Sequence, residues 1–247
     1  MPTIAVLGDR DPRFVTHREL DAELARMPAG TEAAWLHSPR AAEAAAADAI
    51  WVAPGTPYED DDAVLAALDR AIEDGTPLLG TCGGFQYLAI ALARRAGLPA
   101  ANADADPGAE DPLVAPLACS LVGEEREVTC VPGTRLAAIC GTAPFTGFHF
   151  CNFGLAPAHV AGLEAAGVVV AAHAPDAGVE GIELPGHPFL LATLFQPQVG
   201  ALAGRPRHPL VAAFTAAASR DDGDRRGSDR VGRRGDGADV DERVEAA

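Results

Sequence analysis

Apolar and polar positions along residues 1–219 repeat with two different periods. Short apolar runs bounded by glycine, proline or acids read as buried strands; spacings of three and four read as helices. TIAVLGD (3–9) predicts a first strand, and residues 15–26 have helical spacing. EAAWLHS (32–38) and AIWVAPG (49–55) predict two further strands. DDAVLAALDRAIEDG (61–75) predicts an amphipathic helix, with Asp60, Asp61 and Asp62 where acids favour the dipole. TPLLGTC (76–82) predicts a strand, and GFQYLAIALARRAG (84–97) a helix closed by Arg94, Arg95 and Gly97.

The second half has a different rhythm. LACSLVG and REVTCVP within 117–132 predict a hairpin, and FHFCNFGL (148–155) a single strand. A helix at 156–166 follows, then strands at 168–174, 179–184 and 189–195, and a closing helix at 208–219. Strand–helix alternation followed by strand pairs predicts an α/β fold: a mixed, mainly parallel central sheet with helices on both faces. No internal repeat is visible.

The pattern stops at Arg220. From 220 to 247 the chain has seven arginines, nine acids and almost no large apolar side chains. Such a segment cannot bury enough surface to offset the entropy of ordering, so it is expected to be a disordered charged tail. Residues 1–219 are expected to form one domain. The tail carries a net −2, which leaves −14 of the total −16 on that domain.

That charge disfavours nucleic acid and anionic membrane as partners. All 19 basic residues are arginine; without lysine there is neither Schiff-base chemistry nor a P-loop. No run reaches 18 apolar residues, and MPTIAVLGDR lacks a basic leader with a cleavage site, so neither secretion nor a membrane span is expected. The five cysteines, Cys82, Cys119, Cys130, Cys140 and Cys151, are odd in number, widely spaced and free of CxxC. They suit a reduced, cytoplasmic setting, and no metal motif or cofactor is expected.

The most specific chemistry lies in GTCGGFQ, Gly80 to Gln86. Gly80, Cys82 and Gly84 spell G-x-C-x-G between a predicted strand and a predicted helix, the cysteine form of a nucleophile elbow. The helix N-terminus behind the sulfur stabilises negative charge. A buried cysteine in a glycine-rich turn is the plainer alternative. In AIWVAPGTPYEDDD a strand runs into Pro54-Gly55-Thr56; beside an elbow, such a loop supplies one oxyanion donor and Gly83 the other. On its own it is an ordinary strand-to-helix turn.

Together these pieces resemble the class I glutamine amidotransferase family, above all its CTP-synthase-type glutaminase domains. PGT (54–56) resembles the family's oxyanion loop and LLGTCGGFQYLAIALAR (78–94) its elbow and helix. FCNFGL (150–155) resembles a Tyr-x-Val-Asn segment, and HPFLLATLFQPQ (187–198) the ending that finishes in Gln-Phe-His-Pro-Glu. RHPL (207–210) then leads into the last helix. The resemblance covers roughly 1–217 and implies a flavodoxin-like fold. It implies Cys82 as nucleophile on a glutamine side-chain amide, with Gly55, Thr56 and Gly83 around the oxyanion. It also implies Gln86 beside the substrate, glutamine or another amide as small-molecule ligand, and, for a partner, a separate synthase subunit. In the family the released ammonia aminates UTP to CTP, which needs an amidoligase domain; no such segment is expected here.

Two family positions carry different chemistry. The general base and its orienting carboxylate fall on Gln196 and Gln198, which do not titrate near neutral pH. No arginine lies between Arg135 and Arg205, where the family reads the substrate carboxylate, and Pro57 removes a donor beside Thr56. His149 and Cys151, read as i and i+2 on one strand face, are the candidates for a substitute base and for a redox partner of Cys82. A half-buried histidine and an inert core cysteine are the plainer reading. His173 and His187 are weaker candidates. Three functions stay open: a thiol-dependent amidohydrolase or transferase with an altered base, a non-hydrolysing binding or regulatory module, and a thiol redox protein.

Overall fold

A computed structural model describes residues 1–219. The charged tail expected from 220 onward lies outside the described residues.

Nine strands form one sheet: β1 (Thr3–Leu7), β2 (Glu32–Leu36), β3 (Ala49–Val52), β4 (Leu78–Thr81), β6 (Glu124–Cys130), β7 (Phe145–His149), β9 (Val169–Ala174), β10 (Gly178–Glu183) and β11 (Leu190–Thr193). Their order is β2-β1-β3-β4-β11-β10-β9-β6-β7. From β2 to β11 neighbours run parallel; from β11 to β7 they run antiparallel. The expected parallel character therefore belongs to one half of a mixed sheet. Short β5 (Val114–Pro116) and β8 (Phe153–Leu155) pair separately.

The continuous apolar runs of β3, β4 and β11 are buried at every position, as parallel strands covered on both faces must be. Consecutive side chains of β3 show the two covers. Ile50 lines a recess with Ala63, Ala67 and Ala71 of α2 (Asp61–Asp74). Trp51 meets Phe214 of α6 (Pro209–Ala218) edge-on, with ring centroids 6.0 Å apart. Helices thus pack on both faces. α2 starts where the acids predict: the Asp60 carboxylate accepts from Ala63 N–H at 2.9 Å, and Gly75 ends the helix in a left-handed turn.

α1 (Val15–Leu24) reaches both ends of the parallel half: at β2, its Asp21 carboxylate accepts from Trp35 Nε1 at 2.8 Å. Its Glu19 carboxylate accepts from Gly200 N–H at 3.1 Å and Leu202 N–H at 2.9 Å, beyond β11. Its Glu23 pairs with Arg207, ahead of α6.

Two expectations change. The 117–132 hairpin does not form: Leu117–Gly123 is not a strand, and β6 pairs with β7 and β9 instead. Nor is 148–155 one strand. β7 ends at His149 and β8 begins at Phe153, and the backbone between them bends away. Cys151 therefore sits in a loop, and strand alternation does not put it on one face with His149. A 3-10 helix (Ser38–Ala46) and the short α4 (Arg135–Cys140) carry too few apolar spacings to announce themselves. α3 (Gly83–Arg95) and α5 (Pro157–Ala165) fall where expected.

Candidate active site

The site is built at the carboxyl ends of β1, β3 and β4, beside the point where chain order reverses in the parallel half. Cys82 follows β4 directly and immediately precedes α3. Its backbone has φ 53° and ψ −108°, a conformation costly for any residue with a Cβ. Cys82 N–H donates to the Thr193 carbonyl at 2.9 Å, so the end of β11 holds the turn in place. The neighbouring glycines are required by contact. A Cβ on Gly84 would stand 2.1 Å from the Val52 carbonyl oxygen. One on Gly83 would stand 2.4 Å from the Thr56 methyl and 2.9 Å from the Gly55 carbonyl oxygen. The elbow and the Pro54–Thr56 loop are therefore pressed together, as the motif demands.

A cavity of about 720 Å³ opens over this junction. Cys82, Gly55, Thr56 and Gln86 line it, so four of the expected residues meet there; Gly83 lies beneath, against the loop. Cys82 is 6% exposed and its thiol donates to the Phe150 carbonyl at 3.7 Å. Gln86 is buried and donates through Nε2 to the Phe153 carbonyl at 3.0 Å. The Thr56 hydroxyl donates to Asp104 Oδ2 at 2.6 Å. The N–H groups of Gly55 and Thr56 take no partner among the described residues. Nor does that of Gly83, which lies in the first turn of α3, where no intrahelical acceptor exists.

Cys151 comes to the same cavity from the loop after β7. Its thiol interacts with that of Cys82, and this interaction together with burial pushes the Cys151 pKa well up, so Cys151 keeps its proton. Glu180 also acts on Cys151 electrostatically. Behind it, fully buried, His149 Nε2 and Glu180 Oε1 are 2.8 Å apart, and Glu180 Oε2 accepts from Phe195 N–H at 3.1 Å. His149 Nδ1 has no partner, and His149 does not line the cavity. His173 and His187 are likewise absent from its wall.

Gln196 and Gln198 are buried beyond β11 and are not part of that wall either. Gln198 Nε2 donates to Gln196 Oε1 at 2.9 Å. Gln196 Nε2 and Gln198 Oε1 are left unpartnered, and Gln196 instead borders a separate cavity of about 240 Å³.

Several wall residues were invisible in the motifs. Asp9, Arg10, Asp11 and His17 arrive from the segment after β1, and Asp104 from the loop after α3. Arg10 is an arginine in the cavity from an unexpected segment, held through Nε (3.0 Å) and Nη2 (2.8 Å) to the Asp21 carboxylate. Hydrogen bonds from Arg13 hold Asp11 down at about 2. Burial lowers the pKa of His17, whose Nδ1 accepts from Asp11 N–H at 2.9 Å. In the sequence, His17 shows only as a histidine within the helical spacing of 15–26. Among the described residues no cluster of His, Cys, Asp and Glu could hold a metal ion, and no helix is long and apolar enough to cross a membrane.

Residues 53–198, from the end of β3 to Gln198, match the Peptidase C26 family. A CTP synthase of Pyrobaculum aerophilum is 33% identical over 182 residues, 69% of this chain and 34% of that protein. A CTP synthase of Synechococcus sp. is 34% identical over 188 residues, 69% of this chain and 33% of that one. The chain thus spans about a third of the length of these relatives. Among solved structures, the glutaminase domain of Trypanosoma brucei CTPS with bound acivicin superposes with a TM-score of 0.72 at 21% identity, covering 88% of this chain and 94% of that one. A glutamine amidotransferase from Thermotoga maritima superposes with a TM-score of 0.54 at 12% identity, covering 87% of this chain and 83% of that one.

Proposed function

Because the chain belongs to the Peptidase C26 family, of class I glutamine amidotransferase type, we propose that it is a CTP-synthase-like glutaminase domain whose thiol captures an amide while ordinary turnover fails. The observation that carries this reading is the 2.9 Å bond between Gln196 and Gln198. At the two positions where proton transfer belongs, a pair of amides is closed on itself, while Cys82 stands strained and open to a cavity large enough for a small amide. Cys82 sulfur attacks the amide carbon, and the N–H groups of the Gly55–Thr56 loop and of Gly83 receive the oxyanion. Collapse needs a proton on the leaving nitrogen, and hydrolysis of the thioester needs a base. Neither glutamine supplies them.

A buried acid–base pair, His149–Glu180, lies outside the cavity wall, and Glu180 acts electrostatically on Cys151. In this reading the pair supports only slow release. Partners would be a small amide and, by analogy with the relatives, a synthase subunit. The test measures ammonia release from glutamine beside covalent labelling of Cys82 by a glutamine-mimicking electrophile. Labelling with turnover several powers of ten below a working glutaminase is expected. Fast ammonia release that vanishes in Cys82→Ala, or absence of Cys82 labelling, would overturn it.

The Cys82–Cys151 contact favours a second reading, thiol redox chemistry. Cys82 thiolate attacks a hydroperoxide oxygen, giving a sulfenic acid and releasing the alcohol or water. Cys151 then displaces water, and two thiols become one disulfide. Peptide mapping after peroxide treatment is expected to find Cys82 linked to Cys151; reduced Cys151 beside an over-oxidised Cys82 would refute it.

A further inference from the structure

One buried imidazole touches the Pro54–Thr56 loop. His17 lies on α1, 37 residues before Pro54, and its Nε2 is 2.8 Å from the Pro54 carbonyl oxygen. Its other nitrogen is already an acceptor, because Asp11 N–H donates to Nδ1 at 2.9 Å. Those two contacts fix the tautomer: the proton sits on Nε2 and is donated to Pro54. The ring is itself wedged between Phe14 and Trp35, with centroids 5.5 Å and 5.1 Å away. It has no freedom to swing.

The Pro54 carbonyl shares a peptide plane with the Gly55 N–H. The only cis peptide among the described residues is Thr56–Pro57, so the Pro54–Gly55 unit is trans and its C=O and N–H point in opposite directions. Fixing the carbonyl therefore fixes the donor. That N–H is unpartnered, and Gly55 borders the cavity with Cys82. Gly55 itself has φ +97°, and a Cβ there would stand 3.1 Å from His17 Nε2. Only glycine lets the imidazole come this close in this conformation.

We propose that His17 is the positioning residue of the oxyanion hole: by holding the Pro54 carbonyl it sets the direction of the Gly55 N–H that receives charge during attack by Cys82. This rests on Cys82 being the nucleophile. His17 never meets the reacting atoms; it acts through one peptide unit.

Two probes separate positioning from mere support. p-Nitrophenyl acetate acylates a thiol through a tetrahedral oxyanion, whereas iodoacetamide alkylates it by displacement without one. Both reactions are followed at Cys82 by mass spectrometry of the full chain. In His17→Ala, acylation is expected to fall about 10- to 100-fold, a fraction of what loss of an oxyanion donor costs, with alkylation within about twofold of the starting rate. His17→Gln keeps bulk and an N–H donor; it is expected to recover most of the acylation rate and to remain folded if the alanine variant does not. Acylation and alkylation falling in parallel in either folded variant, or neither changing in His17→Ala, would overturn the proposal alone. Absence of Cys82 acylation in the unsubstituted protein would overturn it together with the nucleophile reading.

Discussion

Replacing Glu180 by alanine tests how much stability is invested behind the cavity. Glu180 and His149 are both 0% exposed. The carboxylate accepts from two buried donors, His149 Nε2 at 2.8 Å and Phe195 N–H at 3.1 Å, joining β10 to β7 and to the exit of β11. His149 Nδ1 already lacks a partner, so truncation leaves the imidazole with none. Each orphaned buried donor costs about 1–3 kcal/mol, and breaking a buried pair by removing one member costs about 3–5 kcal/mol. An expected loss of about 4 kcal/mol follows, a large share of ordinary domain stability. With an m-value of about 2 kcal/mol/M, the urea midpoint should drop by about 2 M. Trp35 and Trp51 supply the fluorescence signal. Glu180→Gln, which keeps one acceptor, should lose less than half as much. Adding His149→Leu to Glu180→Ala should cost less than the sum of the single changes, because the donor left stranded is removed. A shift below about 0.5 M for Glu180→Ala, or strict additivity in the cycle, would show that the pair contributes no such energy.

Gly84→Ala forces a Cβ to 2.1 Å from the Val52 carbonyl oxygen, a backbone atom that cannot yield; expected is a loss of about 3 kcal/mol or failure to fold, and an unchanged thermal midpoint would refute the close packing of the elbow. Burial lowers His187 and His208 to about 4. Because the unfolded chain binds these protons near 6.5, stability is complete above that pH and declines as pH falls toward 4, by up to roughly 3 kcal/mol per histidine. Urea midpoints that stay flat from pH 7 to 4.5 would contradict this sign. An aromatic disulfide reagent at pH 8 should titrate exposed Cys119 first, with Cys140, pushed up to about 12 by burial, far slower; equal rates would contradict that burial.

The parallel half of the fold was readable because its strands are uniformly apolar and its helices carry their own stop signals. β4 and α3 fall within two residues of where their apolar spacing and flanking glycines put them, and β3 starts where expected but ends three residues early, at Val52. The elbow was readable for the same reason: contact permits nothing larger than glycine at 83 and 84, so the constraint is written into residue identity. The antiparallel half was less legible. β6 takes its partners from β7 and β9, and nothing local in REVTC distinguishes those partners from LACSL just before it. The bend at Phe150–Asn152 was hidden by aromatic and apolar residues that suit a strand equally well. The remaining cavity wall is assembled from segments far apart in sequence. His17 and Asp104 carry no motif; their place comes from where α1 and the α3 exit are held.

α1 gives the site a mechanical property that no single contact has. His17 grips the loop after β3, and Glu19, two residues on, grips the loop after β11 at Gly200 and Leu202. The two segments flanking the elbow are thereby yoked to one ten-residue rod. Neither can shift without dragging the other, so any event that displaces α1 is felt on both sides of Cys82 at once. The helix is a single handle on the whole cavity rim.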